Sequence, residues 1–191
     1  MLEVGITNGG VPVLNFTEAR THFGAWCIVS SPLILGMNMS DAATVATFWP
    51  IVSNAEAIAV NQEYAGFSGS RFYESAEVTS FSPCGWGAEF RNCTYASQQY
   101  WYKPLPGGDV AVLLMNNADT PALLSLEWEL VPGLLPQQGS LVRVRDIWNH
   151  QSLGVVEGAF VPAAPTASRD SLFLRLTPVA AAAAAGAGAA Q

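Results

Sequence analysis

Residues Gly24 to Gln62 read GAWCIVSSPLILGMNMSDAATVATFWPIVSNAEAIAVNQ, and they decide the fold. Apolar residues at helical spacing (Ala19, Phe23, Trp26 and Cys27, with Ser30) run into this stretch and stop at Ser31-Pro32. Proline lacks a backbone donor and disfavours α geometry in the residue before it. Leu33 to Met37 is then apolar at almost every position, which suits a strand buried on both faces of a parallel sheet. Ser40 or Asp41 caps a second helix with Val45, Phe48, Trp49 and Val52 on its inner face, and Asn54 caps a short third one. Upstream, Leu2 to Ile6 reads as a strand that ends in the Asn8-Gly9-Gly10 loop. Thr17, followed by Glu18, marks the start of the first helix. Strand, helix, strand, helix is an α/β pattern.

Beyond Gly66 the period changes. Leu124, Leu126, Trp128 and Leu130 alternate with Ser125, Glu127 and Glu129. Val142 and Val144 alternate with Arg143 and Arg145. Leu172, Leu174 and Leu176 alternate with Ser171, Phe173 and Arg175. These patterns predict antiparallel strands with one wet face. Val110 to Met115 is apolar on both faces and is the expected central strand. Pro106-Gly107-Gly108-Asp109, Asn116-Asn117 and Pro132-Gly133 supply turns, and Phe67-Ser68-Gly69-Ser70 reads as a linker. Roughly seven short strands at about ten-residue intervals make a β-sandwich. The α/β part is too small to cover its own sheet, and a closed (β/α) barrel needs eight such units. The expectation is therefore a chain cut on its amino-terminal side, with unpaired strand edges that favour aggregation.

Composition narrows the function classes. The 191 residues carry a net charge of −7 and a single lysine, Lys103, which argues against nucleic acid and anionic membranes and for a neutral ligand. No apolar run reaches the length of a membrane span, and the opening MLEVGITNGG has no secretory-signal pattern. Ala180 to Ala190 is a low-complexity run of alanine and glycine, expected to be disordered. Cys27 lies on an apolar helix face and reads as a buried, inert thiol. Cys84 and Cys93 bracket CGWGAEFRNC, a candidate disulfide-closed hairpin plugged by Trp86 and Phe90, and sequons occur at Asn15, Asn38 and Asn92. A disulfide beside a sequon points to an oxidising, secretory compartment, with any signal in residues before Met1.

Several stretches together resemble the α-galactosidase family of glycoside hydrolases, the melibiase type. MLEVG resembles the second half of that family's W-N-D-P-D-M-L-x-x-G segment. THFGAWCIVSSPLILGMNM resembles its helix and last barrel strand, and NAEAIAVNQEYAG the segment that ends the barrel. YWYKPLPGGDVAVLLMN, VRDIWNHQSLG and SLFLRLTP resemble strands of its carboxy-terminal domain. The resemblance runs in register from Met1 to Pro178 and is most specific at I-A-V-N-Q and V-R-D-x-W. It implies residues 1–65 as the last two β/α units of a TIM barrel, 66–178 as an antiparallel β-sandwich, and 179–191 as a disordered tail. It also implies retaining hydrolysis of terminal α-linked galactose, a galactose-containing substrate and no cofactor. Met1 would match a methionine lining the sugar pocket.

Retaining hydrolysis needs two carboxyl groups about 5–5.5 Å apart, placed at the carboxyl ends of barrel strands. Asp41 is the carboxylate near such an end, and it reads as a helix cap; Glu3 lies inside its strand. The family's catalytic aspartates would fall upstream. His22 and His150 have no partner at metal spacing. Tyr100, Trp101 and Tyr102 could stack on sugars, although a core or cross-strand role fits a sandwich better. The alternatives are a non-catalytic carbohydrate-binding or structural β-module, and the same scaffold directed at α-N-acetylgalactosamine.

Overall fold

The structure, a computed structural model, describes residues 1–84, 91–134 and 141–179. Strands β1 (Thr7–Asn8) and β2 (Val11–Pro12) form a minimal hairpin. Helices α1 (Phe16–Ile28), α2 (Ala42–Val52) and α3 (Ala55–Gln62) follow. Then come β3 (Ser70–Glu74), β4 (Val78–Cys84), β5 (Arg91–Ala96), β6 (Gln98–Pro104), β7 (Val110–Asn116), β8 (Leu126–Glu127), β9 (Leu141–Asp146), β10 (Gln151–Glu157), β11 (Ala159–Phe160) and β12 (Ser171–Val179). Six of these make one antiparallel sheet in the order β10-β9-β12-β7-β6-β3; β4–β5 and β8–β11 are separate two-stranded ribbons.

The central sheet is covered on both sides, and its alternation divides two cores. Ala111, Leu113 and Phe173 face a helical layer built from Ala19, Phe23, Cys27, Phe48, Ile51, Ala57 and Val60. Val112, Leu114, Val144, Leu174 and Leu176 face the opposite layer, formed by Leu124, Leu126, Trp128, Val131, Leu134 and Phe160. The wet face predicted at Phe173 is therefore dry, because α1 lies across it. Gly24 permits that close approach: a Cβ there would stand 2.8 Å from Leu113 Cδ1 and 3.0 Å from Trp148. Each large apolar side chain buried in these layers contributes about 1.5–3 kcal/mol.

Several local expectations are corrected. The N-cap of α1 is Asn15, not Thr17: Asn15 Oδ1 accepts from Glu18 N (3.0 Å) while Glu18 accepts from Asn15 N (2.9 Å), a complete capping box. Asp41 caps α2 as expected, but Trp49 is 48% exposed and Ile51 takes the inward position. Leu124 to Leu130 is not one strand. Only Leu126–Glu127 pairs, a 3-10 turn follows, and Leu130 points outward. Leu33 to Met37 makes a single parallel bridge, Leu2↔Leu35, backed by Leu2 N donating to Ile34 O (2.8 Å). A strand buried on both faces was expected there, yet Ile34 and Leu35 are 59% and 38% exposed, since no further strand pairs alongside. Val179 ends β12 opposite Leu141 rather than starting a tail; residues 180–191 lie outside the described residues.

Candidate functional site

The polar side chains predicted from the sequence are not gathered into one centre. Met1 is 70% exposed. Asp41 accepts from Ala43 N (3.1 Å), Thr44 N (3.2 Å) and the Thr44 hydroxyl (2.7 Å), and that hydroxyl foremost holds its carboxyl below the usual range. It is a helix cap. His22 packs at a tilt against Trp26, ring centres 4.4 Å apart, and its Nε2 accepts from Glu3 N (3.2 Å); burial lowers its pKa against the pull of Glu3. His150 Nδ1 lies 2.7 Å from Glu56 Oε1. Among the described residues no three His, Cys, Asp or Glu side chains are placed to hold a metal ion. No single described helix is long and apolar enough to cross a membrane.

Several charged groups instead join the helical segment to the sheet. Arg145 of β9 forks onto Glu56 of α3 (3.0 and 2.7 Å); this pairing is the main reason the Glu56 carboxyl titrates below its ordinary value. Arg175 of β12 reaches Asp109 (2.6 Å) and Glu63 (3.2 Å), so these two carboxylates converge on a cation rather than on each other. Arg20 of α1 pairs with Asp170, and Asn54 Nδ2 donates to Ile147 O (2.9 Å).

Sequence reasoning missed the role of Lys103. The chain's one lysine is fully buried, and its Nζ donates to the carbonyls of Val60 and Asn61 at the end of α3. It thereby satisfies two of the orphan acceptors that a helix end leaves. Burial pulls its pKa down. The signal was present: Trp101 and Lys103 share one face of β6, opposite Tyr100 and Tyr102, and that face meets the helices. Tyr100 is 4% exposed, with its phenol pushed up to about 12 by burial, and Tyr102 packs on Phe67 and Phe72. These rings are packing residues.

Cys27 is free and buried, and burial pushes its thiol up to about 12. Native protein is therefore expected to leave Cys27 unmodified by iodoacetamide near neutral pH, whereas urea-unfolded protein alkylates there. Intact and peptide mass spectrometry reads both states. Rapid native labelling at Cys27 would contradict the packing. Cys93 is disulfide-bonded; the side chain of its expected partner, Cys84, and the residues Trp86 and Phe90 lie outside the described residues. The sequon residues Asn15, Asn38 and Asn92 are exposed.

Two hollows remain. One, of about 590 Å³, lies on the outer face of α2 beside Met39, Val45 and Trp49. The other, of about 420 Å³, lies between α1 and the ends of β5, β6 and β7, with His22, Tyr95, Gln99 and Asn117 among its walls.

Fold and site together define a β-sandwich domain with a helical layer, in which the described residues assemble no acid/base carboxylate pair. Residues 96–176 match the alpha galactosidase C-terminal beta sandwich domain. The chain is 33% identical over 180 residues to an alpha-galactosidase of Coffea arabica, covering 93% of this chain and 39% of that protein. It is 32% identical over 158 residues to one of Cyamopsis tetragonoloba, covering 83% and 31%. In fold it resembles the crystal structure of alpha-galactosidase I from Mortierella vinacea (TM-score 0.69, 24% identity, 91% of this chain and 38% of that one). The Saccharomyces cerevisiae alpha-galactosidase solved with raffinose is similar at TM-score 0.69 and 21% identity over 93% of this chain and 46% of the other. In sequence and fold, the chain is similar to the carboxy-terminal part of α-galactosidases. It spans less than half the length of each of these relatives.

Proposed function

We propose that this chain is the structural end of a retaining α-galactosidase. In this reading residues 1–65 are the closing β/α units of the catalytic barrel and 66–178 the sandwich that braces it. The observation that carries the reading is the Leu2↔Leu35 parallel bridge, with α1 connecting its two partners and packing on the sheet. Parallel neighbours joined by a helix are the repeating unit of a barrel. The exposed Ile34, Leu35, Met39 and Trp49 are then surfaces that barrel neighbours cover. The substrate is a terminal α-linked galactose, with N-acetylgalactosamine as the sister specificity, and Met1 lines the sugar pocket. The disulfide at Cys93 and the exposed sequon residues support a secretory protein.

The chemistry requires an acid/base carboxyl and a nucleophile that these residues do not pair, so the purified chain is expected to release no nitrophenol from nitrophenyl α-galactoside above background. Fused behind the upstream residues of the Coffea arabica relative, in place of the matched segment, it is expected to restore release. Turnover by the chain alone that survives Asp41→Asn, or a folded but inactive fusion, would overturn the proposal.

A further inference from the structure

We infer that the groove between α1 and the ends of β5, β6 and β7 binds a neutral pyranose. The inference goes beyond the proposed function and stands on the groove's own chemistry. Its volume, about 420 Å³, lies within the range of small-molecule sites. The floor is apolar: Leu14, just before α1, and Ala25 of α1 line it with Met115 of β7. Gln99 of β6 pairs directly with Met115 across the sheet, so a carboxamide stands beside that apolar patch. Tyr95, 43% exposed on β5, forms an aromatic rim.

Charge decides the ligand class. The groove holds one carboxylate and one guanidinium, and both already have partners. Glu18 accepts from Asn15 N in the capping box, and Arg169 forks onto Asp119 (2.9 and 2.6 Å). No net charge is left to draw a phosphate or a carboxylate. The neutral polar atoms are the ones still open. Among the described residues, the Tyr95 hydroxyl and the Gln99 carboxamide have no protein hydrogen-bond partner. Asn117 spends its Nδ2 on Ala96 O (2.9 Å) and keeps its Oδ1 open. His22, with Nε2 accepting from Glu3 N, keeps Nδ1–H as a donor. Neutral donors and acceptors above an apolar floor, with an aromatic at the rim, match a sugar ring. Its hydroxyls take the amides, and its C–H face takes Tyr95 or Met115.

The test is a ¹H–¹⁵N NMR titration of the full chain with galactose and, separately, glucose, each up to about 100 mM, enough to saturate a millimolar site. At least one sugar is expected to shift amides along Leu14–Ala25, Tyr95–Gln99 and Met115–Asn117. Gln99→Ala and Tyr95→Ala should each weaken that binding about tenfold or more while leaving the rest of the spectrum folded. Two substitutions on different strands guard against one of them disturbing the fold. The inference falls if neither sugar shifts these amides, if the shifts map elsewhere, or if both variants bind as tightly as the parent. Inorganic phosphate shifting the same amides when neither sugar does would also overturn it. Turnover plays no part in the readout, so failure here leaves the proposed function standing, and the reverse also holds.

Discussion

Replacing Gly69 with alanine is expected to cost about 4 kcal/mol or more, among the larger effects a single methyl group can have. Gly69 adopts φ +79, where an alanine already loses about 1–2 kcal/mol. The larger part is steric. A Cβ at this position would stand 2.3 Å from Ile28 O and 2.8 Å from Tyr102 O. Both are backbone atoms, one in the last residue of α1 and one in β6. Neither can rotate away, so the segment entering β3 must leave its seat between helix and sheet. Gly66 is the internal control. It has a similar φ of +85, and a Cβ added there would meet nothing within 4 Å, so Gly66→Ala should cost only about 1–2 kcal/mol. Urea melts of the two variants separate strain from collision. Equal losses would mean that the chain at Gly69 is not wedged as described.

That wedge shows where the sequence misleads. Phe67-Ser68-Gly69-Ser70 has the composition of a loose linker, yet it runs under the end of α1. Composition reports local freedom, and the constraint here comes from a helix about forty residues earlier in the chain. Other elements were legible because their signals are local. Asp41 and Asn54 cap α2 and α3 as their residue types require, and β7, apolar at nearly every position, lies inside the sheet. Periodicity at β12 gave the strand but not its surroundings. Leu172, Leu174 and Leu176 alternate as one buried face, whereas burial of Phe173 depends on α1, which no period within β12 can report. The two most specific segments of the family resemblance proved to be structural. Asn61 of I-A-V-N-Q donates to Ser31 O (2.9 Å), and Lys103 takes the carbonyls of Val60 and Asn61. In V-R-D-x-W, Arg145 pairs with Glu56, Asp146 closes the turn onto Asn149, and the Trp148 ring packs at a tilt 5.1 Å from Phe173. Short motifs of this kind tell which neighbours must meet. The groove along α1 left no such trace, because Glu18, His22, Tyr95 and Gln99 come from separate elements at no recognisable spacing.

Phe173 and Leu174 test whether the helical segment and the sheet are one folding unit. They are consecutive, both fully buried, and they point to opposite faces of β12. Phe173→Ala removes a ring seated on Trp148 in the helical layer, at an expected cost of about 3–5 kcal/mol. Leu174→Ala opens the layer beneath Leu126 and Trp128, at about 2–5 kcal/mol. Equilibrium stability alone would not tell the two apart. Amide hydrogen exchange would, because local openings are read element by element. Phe173→Ala is expected to raise exchange first in α1 and α3, and Leu174→Ala first in β8 and β11. The parent protein should melt with helix ellipticity and tryptophan fluorescence coincident, since the helical core includes Ala111, Leu113, Ile147 and Phe173 from the sheet side. Lys103, Arg145, Arg175 and Asn54 add polar ties across the same seam. If α1 kept its protection in Phe173→Ala, or if helix and sheet melted apart, residues 1–65 would be an appendage rather than half of this core.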